Sequence, residues 1–277
     1  MKLRVLVDNN TLIGEYYYGE PGLAFYIEEA GNKILFDLGY SGICIRNAFR
    51  MGIDINKVNI IVLSHGHLDH TWGLTGLMES LKASIYQNAE KKISVITHPF
   101  ALCPKMDNGE PIGFMHSEAV LNNCFNVKLS KSPEWISEKL CFLGQIERVM
   151  DFENKKPIGT TIIDGAEQED HLLDDSAMVY KTEKGLVIIT GCSHSGICNI
   201  IEYAKKICQD DRVLDIIGGL HLLSPSAERL ENTLDYLKEL KPHAVHACHC
   251  TDLASKIELS KVLNVKEVGV GLTLDFD

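Results

Sequence analysis

A pattern of strand, turn, strand and helix occurs twice in this chain and constrains its fold more than any other feature. The two copies run from Leu23 to Met51 and from Ala177 to Cys208. Each has two short apolar strands around a polar turn that contains glycine, followed by a helix-like segment. Because the copies share a pattern and not their residues, the repeat is weak. Strands that alternate with helices predict an α/β layered fold with helices outside the sheets.

The rest of the chain extends this pattern. Further buried strands are predicted at Val58–Leu63, Ile93–Thr97, Val213–Ile217 and Ala244–Ala247, and further helices at Leu74–Lys82, Ala227–Leu240 and Leu253–Val262. Ser226 is placed to cap the second of these helices, whereas Arg229 in its first turn opposes the helix dipole. Residues 99–168 contain scattered prolines and glycines with little periodicity. We interpret them as a loop-rich insertion in a single domain that spans residues 1–277.

Composition limits the classes of partner. The 277 residues carry a formal net charge of −11, which argues against a nucleic-acid partner because phosphates require a basic face. No apolar run approaches the ~20 residues of a membrane helix, and the N-terminal apolar stretch is too short for a signal peptide. The nine cysteines form no CxxC pair, which favours reduced, buried thiols. We therefore expect a cytoplasmic protein that acts on a small molecule and has no nucleic-acid or membrane partner. The sequence leaves open whether that molecule is anionic and whether the chain forms a homo-oligomer.

The strongest chemical signal is a strand that runs directly into three histidines and an aspartate: Ile60-Ile61-Val62-Leu63-Ser64-His65-Gly66-His67-Leu68-Asp69-His70. Side chains two residues apart in an extended chain point the same way, so His65 and His67 can hold one ion together. Asp69 and His70 follow after a bend and face a neighbouring position. Imidazole and carboxylate ligands suit a divalent ion such as zinc, iron or manganese.

Three more histidines follow predicted strands. They are His194 after Thr190, His221 after Ile217 and His249 after Ala247. Ligands and catalytic groups of α/β folds gather at the carboxyl ends of strands, so we expect these side chains to face the same site. For His221, a ligand role and a contact with substrate are equally consistent with the sequence.

Together these motifs resemble the metallo-β-lactamase superfamily, whose signature is HxHxDH, a later Ser-His and a final strand-end histidine. The resemblance covers nearly the whole chain. It implies an αββα sandwich, an α/β (α+β four-layer) fold with two facing mixed sheets and helices outside. It also implies two divalent metal ions, with zinc expected first and iron or manganese as alternatives. By resemblance, one ion binds His65, His67 and His194, and the other binds Asp69, His70 and His249.

Finer motifs resemble one branch of that superfamily, named for the synthase of 7,8-dihydropterin-6-ylmethyl-4-(β-ribofuranosyl)aminobenzene 5′-phosphate. These motifs are Thr190-Gly191-Cys192-Ser193-His194-Ser195-Gly196-Ile197, Ile217-Gly218-Gly219-Leu220-His221-Leu222 and His249-Cys250-Thr251. The chain departs from the common hydrolase pattern in one place. An aspartate usually bridges both metals near the position of His221, and a histidine cannot bridge as a carboxylate does. Asp215 is a poor substitute, because it lies at the start of its strand.

Residues around the ligands receive weaker assignments. Asp37 ends a predicted strand and is expected to accept a histidine N–H and so fix the tautomer of a ligand. Asp69 and His221 are the predicted catalytic residues. Trp72, Lys105 and His221 are the candidate substrate contacts, with Lys105 facing a phosphate. Solvent exposure is the alternative for Lys105.

Three functions fit these residues. The first is a synthase-like enzyme in which the metals neutralise a leaving diphosphate. The second is a metal-dependent hydrolase, such as a phosphodiesterase, lactonase or thioesterase, in which they activate water. The third is a metal- or ligand-binding protein without catalysis, against which the complete ligand set argues.

Overall fold

The computed structural model describes residues 1–82, 92–153 and 156–277. Its strands are β1 (Lys2–Val7), β2 (Ala24–Glu29), β3 (Asn32–Phe36), β4 (Ile60–Val62), β5 (Ser94–Thr97), β6 (Lys105–Asp107), β7 (Glu110–Pro111), β8 (Asn126–Leu129), β9 (Glu134–Trp135), β10 (Leu140–Phe142), β11 (Thr160–Ile163), β12 (Ala166–Glu169), β13 (Ala177–Thr182), β14 (Gly185–Thr190), β15 (Val213–Gly219), β16 (Ala244–Cys248) and β17 (Thr273–Asp275). Its α-helices are α1 (Ile43–Arg50), α2 (Leu68–Thr71), α3 (Leu74–Ser80), α4 (Glu118–Cys124), α5 (Ile197–Cys208), α6 (Ala227–Leu240) and α7 (Leu253–Ser260), with short 3₁₀ helices at Ile55–Lys57 and Pro99–Leu102.

Two mixed sheets form the centre of the fold. Among the described residues, the first has the order β17-β1-β2-β3-β4-β5-β8 and the second the order β16-β15-β14-β13-β10-β9. In each, a hairpin is followed by a helix and by a strand parallel to the second hairpin strand: β2-β3-α1-β4 and β13-β14-α5-β15. The repeat predicted from the sequence is therefore present in the topology.

Three apolar clusters show the layers of an αββα sandwich. Phe25 and Phe36 of the first sheet pack in one cluster with Phe142 of the second, which places that cluster between the sheets. A second cluster joins the first sheet to α1, α3 and α4, and a third joins the second sheet to α5, α6 and α7. Full burial of one large apolar side chain contributes about 1.5–3 kcal/mol, so these clusters stabilise the fold. The predicted four-layer architecture is confirmed.

Residues 99–168 contain more regular structure than the sequence indicates. Apart from residues 154–155, which lie outside the described residues, this segment supplies strands to both central sheets. It also forms a small third sheet with the order β12-β11-β6-β7. Short strands therefore interrupt the loops of this segment, and its interpretation as an insertion in a single domain stays a prediction. Strands of two to four residues are too short to show periodicity, and β6 pairs with β11 across a long separation in sequence, as at Met106 and Thr160.

All nine cysteines lie in the described residues and are free thiols, as predicted. None of the helices in the described ranges has the length and apolar character needed to cross a membrane.

Candidate metal centre

Several strand ends converge at one edge of the sandwich. Strands β3 and β4 run parallel in the first sheet, and β14, β15 and β16 run parallel in the second. Carboxyl ends of parallel strands meet at the same edge of a sheet. The residues that follow these five strands include Asp37, His65, His194, His221 and His249. Segments distant in sequence therefore bring their functional groups to one place.

The first ligand group consists of His65, His67 and His194. The ring centroids of His65 and His67 are 4.7 Å apart, and each lies 4.8 Å from that of His194. Ring nitrogens of the three residues converge within 4.8 Å of one another. Nε2 of His65 and of His67 is buried without a hydrogen-bond partner. Buried polar atoms normally have a partner, so this arrangement fits a divalent cation.

The second group, Asp69, His70 and His249, lies beside the first. His70 Nε2 is 3.2 Å from His249 Nε2, and Asp69 Oδ2 is 3.3 Å from His249 Nε2 and 3.7 Å from His70 Nε2. The rings of His65 and His70 are 4.3 Å apart, so the two groups are neighbours. The structure thus brings together all six residues that the resemblance identifies as ligands. Their donors are nitrogen and carboxylate oxygen, which suit a divalent metal.

Asp37 and Ser64 orient two of the histidines. Nδ1–H of His70 donates to Asp37 Oδ2 at 2.7 Å. The Ser64 hydroxyl donates to the same carboxylate oxygen at 2.7 Å, so its oxygen is free to accept from His65 Nδ1 at 2.9 Å. Both rings therefore hold a proton on Nδ1 and direct Nε2 into the site, where its lone pair would bind a metal. Asp37 has the contact that the sequence predicted for it.

Burial keeps the first group in the form that binds metal. Desolvation holds the pKa of His65 well below its usual value and lowers the pKa of His67 to about 4. For His70, burial is outweighed by the carboxylates of Asp69 and Asp37, which raise its pKa to about 9. A metal at the second group must therefore displace a proton from His70, whereas the first group offers neutral rings at pH 7.

The loops that carry these residues have unusual backbone conformations. Asp37, Ser193, His221 and His249 have φ of +56°, +62°, +50° and +53°. Left-handed backbone at residues other than glycine is strained and clusters at functional sites. Surrounding contacts stabilise it: the Ser193 hydroxyl donates to Gly219 O at 2.6 Å, and His249 N–H donates to the Asp8 carboxylate at 2.9 Å.

Gly191 is required by close packing. A Cβ built there would lie 2.1 Å from Ser64 Oγ and 3.0 Å from Asp37 Oδ2. Any side chain at this position would therefore displace the two residues that orient His65 and His70.

His221 lies at the wall of a cleft that opens beside the first ligand group. Its ring is 4.3 Å from that of His194, and both residues line a cleft of about 480 Å³ with Lys156 and Arg229. Nδ1 of His221 is buried without a hydrogen-bond partner. The four groups of converging ligand atoms found in the described residues do not include His221. Of the two roles that the sequence left open, this placement favours contact with substrate.

Replacing His221 by alanine is therefore expected to leave the metal content unchanged. Turnover should fall by about 10²–10⁴-fold, the usual contribution of a group that transfers a proton in the transition state. Metal analysis and kcat measured on the same preparation test this. Loss of one metal equivalent would instead show that His221 is a ligand.

Lys105 does not face a substrate. Its side chain is only 1 % exposed, and Nζ donates to Asp170 Oδ2 at 2.7 Å and to Asp174 Oδ1 at 2.9 Å. The other oxygen of Asp174 accepts the Gly66 N–H at 2.8 Å, between His65 and His67. The prediction that Lys105 meets a phosphate, and its alternative of a solvated lysine, are both wrong. The ion pair instead fixes the loop that carries His65 and His67.

Trp72 is held by contacts outside the ligand groups. Its indole N–H donates to Gly113 O at 2.8 Å, and its ring stacks on Tyr40 with centroids 5.4 Å apart. These contacts hold the loop around Gly113 against the end of α2. A role for Trp72 in substrate binding stays a prediction.

Three residues of this region were not predicted from the sequence. Cys192 Sγ lies 3.1 Å from His70 Nε2 and 3.2 Å from His249 Nε2, and Asp8 holds the backbone of His249. Arg229 lines the cleft. The strand-end argument used for the histidines also applies to Cys192 and Asp8, which follow β14 and β1. For Arg229, the signal is a positive charge in the first turn of a helix.

Comparison with known proteins places this geometry in a family. The family profile of the metallo-beta-lactamase superfamily matches residues 17–249. The chain is 30% identical over 265 residues to the 7,8-dihydropterin-6-methyl-4-(beta-D-ribofuranosyl)-aminobenzene-5'-phosphate synthase of Methanocaldococcus jannaschii, covering 91% of this chain and 87% of the relative. An uncharacterised protein of the same organism is also 30% identical, over 95% of both chains. The crystal structure of Tm1679, a metal-dependent hydrolase of the beta-lactamase superfamily, superposes with a TM-score of 0.82 at 27% identity, covering 100% of this chain and 99% of Tm1679.

Proposed function

Because the chain belongs to the metallo-β-lactamase superfamily, we propose that it is an enzyme with two divalent metals that breaks a phosphate or diphosphate ester bond in a small molecule. The supporting observation is that two groups of three donor atoms converge beside a cleft that also carries Arg229 and Lys156. The attacking group is water in a hydrolase and an amine in a synthase-like reaction. In a hydrolase the phosphorus–oxygen bond breaks and the alcohol oxygen leaves, whereas in a synthase-like reaction the carbon–oxygen bond breaks and the diphosphate leaves. In both, negative charge that must be stabilised develops on the leaving oxygen.

Two metals bound there would activate water and neutralise phosphate oxygens. The protein's own residues would orient the ligands and transfer protons. Asp37 and Ser64 hold two imidazoles with Nε2 directed inward, so these ligands need no reorientation. His221, at the wall of the cleft, is placed to accept a proton from the attacking group or to donate a hydrogen bond to a phosphate oxygen. Zinc is the expected metal, because imidazole ligands predominate.

Arg229 supports an anionic substrate. Nε and Nη2 of its guanidinium are buried without hydrogen-bond partners. The Glu153 carboxylate interacts electrostatically with Arg229, but its oxygens accept the N–H groups of Cys198 at 3.1 Å and Asn199 at 2.9 Å. Glu228 also lines the cleft, so the cleft as a whole is not uniformly basic and its positive charge is confined to Arg229 and Lys156. Buried guanidinium donors without partners match the paired oxygens of a phosphate.

Replacing Arg229 by glutamine should raise KM for the substrate, and the inhibition constant of inorganic phosphate, by about 10–100-fold. A hydrogen bond to a charged group contributes ~1.5–3 kcal/mol, and 1.4 kcal/mol is tenfold. Lys238→Gln is the matched control, because it removes the same charge from an exposed position of the same helix. Equal values for both variants would exclude a phosphate site at Arg229.

The proposed activity is tested with protein purified without added metal. We expect about two equivalents of zinc and turnover of a phosphomonoester, phosphodiester or diphosphate ester, lost after chelation and restored by zinc. Lactones and thioesters are screened in parallel, and hydrolysis of these alone would replace the proposal by the general hydrolase. Bound metal without turnover of any ester, with or without an added arylamine, would favour a protein that only binds metal or ligand.

The nine free thiols also support a location in the cytoplasm, where such thiols stay reduced. The net charge of −11 supports a small-molecule substrate rather than a nucleic acid. Association into a homo-oligomer is part of the same proposal and is tested by the mass of the native protein in solution.

A further inference from the structure

We propose that Cys192 binds the metals as a thiolate and supplies the negative charge that a bridging carboxylate provides in related hydrolases. The inference rests on the proposed function, because it assumes that metals bind at the two ligand groups. Cys192 is buried, and its Sγ lies 3.1 Å from His70 Nε2 and 3.2 Å from His249 Nε2. Its sulfur also falls within 4.8 Å of ligand atoms of both His65 and His70. It therefore lies between the two groups.

The charge balance of the site favours a second anionic ligand. Two divalent ions would bring four positive charges, whereas Asp69 is the one carboxylate among the six residues identified as ligands. Asp37 is engaged by Ser64 and His70, away from the Nε2 atoms. Asp215 is paired with His246 Nδ1 at 2.8 Å. A thiol that coordinates a divalent metal loses its proton, so Cys192 would add a second negative charge where it is needed.

The backbone around Cys192 holds the side chain in place. The N–H of Gly219 donates to Gly191 O at 2.9 Å, before Cys192, and the Ser193 hydroxyl donates to Gly219 O, after it. Ser193 has a φ of +62°, which turns the chain between Cys192 and His194. The loop is thus fixed against β15 on both sides of the cysteine.

The neighbouring Cys250 also lies near the site, since its Sγ converges within 4.8 Å with the ligand atoms of Cys192 and His249. It donates to the carbonyl oxygen of Cys192 at 3.3 Å, whereas Cys192 Sγ contacts the Nε2 atoms of His70 and His249 and also converges with His65. Cys250 therefore supports the backbone of Cys192, and Cys192 is assigned as the ligand. A thiolate is a soft ligand and favours zinc over manganese or magnesium. It would also make the site sensitive to oxidation.

The test is the absorption spectrum of the protein after replacement of its metal by Co²⁺. Cobalt bound by histidines gives visible ligand-field bands, and a thiolate ligand adds a sulfur-to-cobalt charge-transfer band in the near ultraviolet. We expect both in the wild-type protein. In Cys192→Ser the charge-transfer band should be lost while the ligand-field bands remain. Cys250→Ser is the matched control and should keep both.

Three other results would contradict the role of Cys192 as a metal ligand. Visible bands without charge transfer in the wild-type protein would overturn the role of Cys192 and leave the proposed metal enzyme standing. This measurement needs no variant, so it holds even if Cys192→Ser fails to fold. Charge transfer that persists in Cys192→Ser and disappears in Cys250→Ser would assign the ligand to Cys250. Absence of cobalt binding, measured by metal analysis, would overturn the proposed function together with this inference.

Discussion

Replacement of His67 by alanine should lower turnover by about 10³-fold or more, since the metals of such sites contribute several kcal/mol to transition-state stabilisation. His67 directs a buried Nε2 without a protein partner into the first ligand group, so the variant should also lose bound metal. The fold should persist, because three apolar clusters outside the site stabilise the sandwich. Activity, metal content and near-ultraviolet circular dichroism are measured on one preparation.

The control for this variant is His243→Ala, which removes an exposed histidine. It should match the wild-type protein in all three measurements. An unfolded His67→Ala protein would show that the metal supports the structure. A folded variant with normal turnover would remove His67 from the site.

The second large effect concerns stability. Replacing Lys105 by methionine should lower the free energy of unfolding by about 3–5 kcal/mol, because it leaves buried carboxylates without a counter-charge. Asp170 and Asp174 would be the unpaired groups, with side chains 3 % and 1 % exposed. Asp174 also binds Gly66 N–H, so the variant should bind metal more weakly as the loop loosens. Urea unfolding and metal titration measure the two effects.

Lys128→Met is the matched control, since Lys128 forms an ion pair with Glu134 at a position that is 57 % exposed. Exposed pairs contribute about 0–1 kcal/mol, so this variant should unfold almost as the wild-type protein does. If both substitutions lowered stability equally, the buried ion pair would not hold the ligand loop.

The convergence of the six candidate ligands could be predicted, because each of them follows a strand or closes a short motif dense in histidine, and both signals can be read locally in the sequence. His65, Asp69 and His249 are examples, and Asp37 could be found in the same way. The contacts of Lys105 could not be predicted. Its partners, Asp170 and Asp174, are distant in sequence and reach it only through the pairing of β6 with β11. Sequence patterns indicate which residues are apolar, but they do not indicate which charges are buried together.

The cysteines illustrate a second limit. Because the nine thiols lack the spacing typical of metal ligands, the sequence favours interpreting all of them as buried apolar side chains. Most of them are indeed buried. What separates Cys192 from Cys141 or Cys208 is the turn at Ser193 and the proximity of His70, which exist only in the folded chain. A local motif predicts candidates, whereas tertiary packing decides which of them face the site.

The order of the strands has a consequence for how the protein matures during synthesis. The candidate metal ligands extend from His65 to His249, and β1 pairs with β17, so the first sheet joins the first and the last of the described strands. A chain emerging from the ribosome exposes His65, His67 and His70 long before His194 and His249 are made. Stable metal capture at both groups would therefore follow synthesis of the segment that carries His249, when non-local pairing can be completed.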